Sequence, residues 1–440
     1  MKKNLPFILV SGLLGTTALA PAALAQDASA EKEQVMSVYE RYRPDYDAPG
    51  IRTGSFLFYP TVEAGLKSNS NIYLQESGVT DDFIAVIKPS FSLVSDWSSD
   101  YFSLKAGAEV GRFFDNGDED YEDFDVALSG RKDISRGTSF SVDASYVEGH
   151  EDRGSPDANG NQVSPAENST ANAKLGFKRD LSVLSFAANV SFEKKDFDDV
   201  DLNGGGIKDN DFRDRDRRKA ELRLGYEMAD GYEAFIRSSM DRVEYDNSKA
   251  NGGPQRNSDG FEVVGGAAFD LTGTAKGEFF VGYMKREYDS DTLGSTDGIK
   301  FGATLTWNPS DLTTFIGSVS RNISETTLAG DADAETTARY NGNPPEPTYS
   351  SGSVDTLVSA RVEHELRRNI LLNISGSLTK MNYQLITRED DMLAFGAGAK
   401  YLLNRNMQIE TRYDYKYRDT NVVNSDYSAH SFMVNLKAQW

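Results

Sequence analysis

Cysteine is absent from this 440-residue chain, and histidine and tryptophan occur three times each. Without a thiol there is no disulfide framework, no thiol chemistry and no thiolate metal site. The three histidines leave little for base-assisted catalysis, which needs a nucleophile and a base on one face. His150 falls in a long loop, His364 in the register of Val358, Ala360 and Val362, and His430 beside Ser428 and Ser431 at the start of the last strand. No catalytic residue and no enzyme activity are expected. After the N-terminal 19 residues no apolar run approaches the roughly 20 residues of a membrane-spanning helix. Basic residues are also scarce, 47 Lys and Arg against 68 Asp and Glu for a net charge of −21, which argues against a nucleic-acid partner. The acidic stretches 115–123 and 196–214 have the oxygen ligands that Ca²⁺ takes, but not its defined ligand spacing. They read as solvated loops, so no metal and no cofactor is expected.

Lys2 and Lys3 precede an apolar segment from Leu5 to Leu19 and then Ala23-Leu24-Ala25. That order is a secretory signal peptide over residues 1–25. Residues 26–53 read as a periplasmic N-terminal arm with a short helix around Glu31 to Tyr42. The arm is too short for the plug of an energised transporter.

From residue 54 to 440 one unit recurs: a run of about ten residues alternating in polarity, then turn residues, as in a lipid-spanning strand. Examples are Phe102, Leu104, Ala106 and Val110; Leu184, Phe186, Ala188, Val190 and Phe192; and Ile299, Phe301, Ala303, Leu305 and Trp307. The connections alternate between short (178–181, 228–231, 308–311) and long (148–167, 194–211, 324–352). A soluble sandwich has no reason to keep that alternation. Only a closed barrel pairs every backbone group of a strand inside a membrane. The expected fold is therefore all-β, a transmembrane antiparallel up-and-down barrel of about 18 strands, or 16 if the weaker runs merge.

The last ten residues place Phe432, Val434, Leu436, Ala438 and Trp440 on one face and Asn435, Lys437 and Gln439 on the other. An apolar face with aromatics at both ends suits a strand that meets lipid. The terminal tryptophan resembles the signal by which outer-membrane barrels are recognised by the barrel-assembly machinery, with Phe432, Val434, Leu436 and Trp440 as its residues.

The opening of the barrel carries a resemblance. Tyr42-Arg43-Pro44-Asp45-Tyr46, then Gly50-Ile51-Arg52-Thr53-Gly54-Ser55-Phe56, Tyr59-Pro60 and Ser70-Asn71-Ile72-Tyr73 resemble the start of an outer-membrane beta-barrel porin family of Gram-negative bacteria, of alphaproteobacterial type. The resemblance implies a location in the cell outer membrane, amid lipid and lipopolysaccharide. Because members are often linked to exopolysaccharide gene clusters, it also implies polysaccharide export proteins as partners. It carries no established ligand-binding residues.

The inward register supplies the candidate site. Arg213, Arg215, Arg217, Lys219 and Arg223 form a basic ladder before and within the eighth strand. Arg361 and Glu363, then Arg412, Asp414 and Lys416, add charges on later strands. Charged stripes bias what a pore passes, unless the charges simply pair across facing strands. The expectation is a porin-like channel for passive passage of small polar or anionic solutes. The alternatives are an exit barrel for exopolysaccharide and a plugged structural or adhesive barrel.

Overall fold

A computed structural model of the chain describes residues 35–158, 161–246, 253–271, 273–331, 337 and 348–440. The signal-peptide assignment and the proline-containing stretch 341–347 lie outside the described residues. Eighteen long strands form one closed antiparallel sheet, and a three-residue strand, Ile51–Thr53, pairs onto the start of the first of them. The long strands are β1 (Phe56–Asn69), β2 (Asp82–Ser95), β3 (Tyr101–Phe113), β4 (Tyr121–Ser135), β5 (Thr138–His150), β6 (Glu167–Leu181), β7 (Leu184–Phe197), β8 (Arg215–Ala229) and β9 (Tyr232–Tyr245). The sheet continues with β10 (Ser258–Leu271), β11 (Ala275–Tyr288), β12 (Ser295–Ser310), β13 (Thr313–Ser324), β14 (Ser353–Arg367), β15 (Ile370–Tyr383), β16 (Glu389–Leu402), β17 (Met407–Thr420) and β18 (Tyr427–Gln439). The barrel closes where β1 meets β18, from Thr61↔Gln439 to Asn69↔Ser431. The count is 18, so the weaker runs at 232–240, 312–319 and 354–366 are separate strands.

Each strand follows its neighbour through a hairpin, so one end carries turns as tight as 136–137, 182–183 and 230–231. The left-handed backbone of Gly137 and Gly231 (φ +72° and +78°) lets these two turns stay that short. Long connections gather at the other end, among them 70–81, 151–166, 198–214 and 325–352.

The outer face is apolar and uncovered: Leu222, Leu224, Ile236, Phe279, Val281, Ile299 and Leu378 are all exposed. In water that surface would be unfavourable by roughly 25 cal/mol per Å², and against acyl chains it is at rest. Phe432, Val434, Leu436 and Trp440 belong to the same face, each 40–51% exposed. No single apolar core fills the centre. Buried apolar side chains form small clusters where other segments cover the inner wall: Val38 with Leu371 and Leu402 at the short-turn end, and Tyr288, Leu293 and Leu385 at the long-loop end.

Candidate functional site

The inner wall is built from the register opposite the apolar one, and its charges are arranged in chains. Strand pairing sets Arg223 directly opposite Arg237, which would be unfavourable alone. Glu233 (2.9 Å from Arg223) and Glu278 (3.4 Å from Arg237) separate the two charges. Both guanidinium groups also lie near the face of Phe235, at 4.1 and 5.6 Å from its centroid. Toward the loops, Asp241 receives Arg217 at 3.1 Å and Arg286 at 2.5 Å. Glu262 receives Lys300 at 3.0 Å and Lys219 at 3.8 Å.

Within β8 the basic register does not stand alone. Arg217 and Arg223 each have a carboxylate from the adjacent β9, and Lys219 has one from β10, two strands away. Arg361 pairs with Glu363 at 3.0 Å and Arg412 with Asp414 at 2.7 Å, each along its own strand. Arg213 lies outside the strand, in a 3-10 turn over Asp211–Arg213, where its guanidinium meets Glu151 at 2.5 Å and sits 3.8 Å from the Phe197 ring centroid. Arg215 donates to the Arg213 carbonyl at 3.0 Å. Between β13 and β14, Ser318 bonds Ser359 at 2.7 Å.

Two segments enter this lumen. At the long-loop end, the loop between β5 and β6 leaves its own strands and is tied to distant ones. Asp152 accepts a hydrogen bond from Lys416 on β17 at 2.7 Å, and Arg418 donates to the Gly154 carbonyl at 2.7 Å. Gly154 lies so close to the far wall that an added Cβ would meet Leu74 at 2.6 Å and the Tyr427 hydroxyl at 2.9 Å. Asp157 then accepts from the side-chain hydroxyls of Thr326 and Thr327, at 3.1 and 3.0 Å, in the loop after β13. Arg153 pairs with Glu119 and donates to the Gln162 and Val163 carbonyls. A loop rooted at β5 and β6 but held at β17 and beyond β13 must run across the opening. Burial alone would raise the Asp152 pKa, but the Lys416 ammonium and the Gly154 N–H outweigh it and hold the carboxyl below its ordinary value.

At the short-turn end, residues 35–47 of the N-terminal segment lie against the inner wall. The described part contains a 3-10 turn at Val38–Glu40, and no longer helix. Val38 is fully buried and its N–H donates to Thr314 at 2.9 Å. The Tyr39 N–H donates to Glu363 at 3.0 Å, and the Asn373 amide donates to the Tyr39 hydroxyl at 2.8 Å. Arg43 pairs with Glu365 at 2.7 Å, Arg41 donates to the Asp311 carbonyl, and Gln439 donates to the Tyr46 carbonyl at 3.1 Å. These partners belong to β13, β14, β15 and β18 and to the turn before β13, an arc of the wall. Val35, Val38 and Tyr39 in an otherwise polar arm were the one sequence signal of this docking.

The histidines sit apart from one another. His150 meets Asp123 at 2.9 Å, His364 meets Thr313 at 3.0 Å, and His430 meets the Tyr413 hydroxyl at 2.8 Å on the outer face. For a metal, Asp199, Asp209 and Asp211 hold exposed carboxylates within 4.8 Å of one another. Asp199 and Asp209 already accept the backbone N–H of Asn210 and Asp211, bonds a loop makes without an ion.

A comparison with curated proteins finds no match. Similar solved structures include the copper transporter OprC, 11% identical over 89% of this chain and 81% of that one, with a TM-score of 0.47. OpdK of Pseudomonas aeruginosa, crystallised with vanillate, is 11% identical over 87% of this chain and 99% of its own (TM-score 0.40). OccAB4 of Acinetobacter baumannii is 11% identical over 89% and 100% (TM-score 0.43). The family model described as "Putative beta-barrel porin 2" matches residues 43–440, so the chain belongs to that family of β-barrel porins.

Proposed function

We propose that this porin acts in the outer membrane as a constricted passive channel for small polar and anionic solutes. The observation that carries this reading is the loop 151–166, which crosses the lumen on anchors at Lys416, Arg418, Thr326 and Thr327. A tethered loop over a charged, wet wall selects by size and charge without moving parts or energy. The test is single-channel conductance of the refolded protein in a planar bilayer, alongside a variant in which residues 152–158 are replaced by a short Gly-Ser link. Conductance that rises in the variant supports a constricted pore. No conductance in either protein would refute it.

A second reading, a barrel held shut, rests on the N-terminal segment docked at the opposite end. In that case current appears only when the Arg43–Glu365 anchor is removed.

A further inference from the structure

Lys67 occupies the inward register of β1, in the half of the strand nearer the long loops. Its cross-strand neighbours are Ile84 and Met433, neither of which offers a counter-charge. Two ion pairs act on it electrostatically, Lys416 with Asp152 and Lys88 with Glu109. Both carboxylates are already engaged, Glu109 by Lys88 at 2.7 Å and Asp152 by Lys416 at 2.7 Å. Lys67 itself makes no ion pair and no hydrogen bond among the described residues. Three ammonium groups thus share two carboxylates, and an excess of one positive charge stands beneath the crossing loop.

Lys67 is half-buried, and an ammonium there without a carboxylate partner is met by water or by an anion. Elsewhere on the wall, Arg217, Arg286, Lys219, Lys300, Arg223 and Arg237 all have carboxylate partners. Lys67 lacks such a partner, as does Arg215, which donates to a carbonyl instead. An ammonium is a compact point charge with three donors, without the planar fork that favours phosphate or a bidentate clamp. One excess charge is matched by a monoanion.

We propose that Lys67 is the centre of an anion-binding site that takes a small organic carboxylate as it passes the crossing loop. This deepens the channel reading and names the solute class that the constriction favours. The Lys88–Glu109 and Lys416–Asp152 pairs flank the site, each acid taken by its own lysine.

The experiment uses the full-length protein in detergent, with trifluoroacetate as the probe and ¹⁹F line broadening as the readout, so that binding is seen whether or not the pore conducts. The expected result is broadening with the wild type and with K67R, and its loss with K67M. E109Q, which frees Lys88, should increase the broadening several-fold. No broadening with wild type, or equal broadening with K67M, would overturn the site. Binding that persists in a barrel without conductance would remove the channel reading while leaving the site in place. Conductance with no Lys67-dependent binding would do the reverse. Folding of each variant is checked by circular dichroism, and should K67M fail to fold, unchanged broadening with E109Q would still overturn the proposal.

Discussion

Breaking the Asp152–Lys416 tether should release the crossing loop, and the size of the effect follows from its surroundings. The carboxylate takes the Lys416 ammonium at 2.7 Å and the Gly154 N–H at 2.9 Å. Both side chains of the pair are a little over one-fifth exposed. A hydrogen bond to a charged group contributes about 1.5–3 kcal/mol when shielded, and an exposed ion pair about 0–1 kcal/mol. The partial exposure puts this tether at ~1–2 kcal/mol, a factor of about 5–30 in the ratio of held to released loop. Hydrogen exchange at residues 151–158 reads that ratio for the wild type, D152N, K416M and the double variant. Each single change should speed exchange by about that factor, and the double change should do no more than the larger single one. Additive effects, or a K416M loop as protected as the wild type, would refute the tether. Because the pair lowers the Asp152 pKa, its contribution is present above the ordinary carboxylate value of ~3.9 and fades as the pH falls through the lowered one. The loop should stay tethered at neutral pH and loosen only in strong acid.

Three further outcomes are expected. R43M removes both the Glu365 pair and the donor to the Val38 carbonyl, so residues 35–47 should become accessible to a protease in the folded barrel; unchanged resistance would count against the docked segment. Burial first of all, and then Asp196, Asp211 and Asp246, push the Asp214 carboxyl up to about 6 against the Phe197 N–H that donates to it. A raised value means that the stabilisation is complete below ~3.9 and is lost as the pH rises through 6. Protection of the 198–214 loop should therefore be greater at pH 5 than at pH 7.5, and D214N should flatten the difference. Replacing Arg217, Lys219 and Arg223 by methionine leaves Asp241, Glu262 and Glu233 under-compensated, so the reversal potential in a salt gradient should move toward cation selectivity. An unmoved potential would place the ladder off the conducting path.

Much of the architecture was legible because a barrel strand writes its environment into every second residue. Leu222 and Leu224 against Arg217, Lys219 and Arg223 tell one face from the other with no knowledge of partners. Counting such runs between alternating short and long connections reached 18 strands, including those whose alternation is weak. The same local rule sets Arg217, Lys219 and Arg223 in the register opposite Leu222 and Leu224, while Arg213 lies outside the strand.

The tertiary structure alone decided what the lumen holds. Whether Arg223 is free or paired depends on the registers of β8, β9, β10 and β11, which bring Glu233 and Glu278 between two arginines. Asp152 finds Lys416 across 264 residues of sequence, and Val38 finds Leu371 and Leu402 across still more. The loop does not differ in composition from a solvated one, and the arm differs only by a few apolar residues such as Val35, Val38 and Tyr39. Alternation is a property of a single strand, fixed by the period of its backbone. The choice of counter-charge is a property of the closed sheet, which leaves Lys67 beside two carboxylates already taken by Lys88 and Lys416.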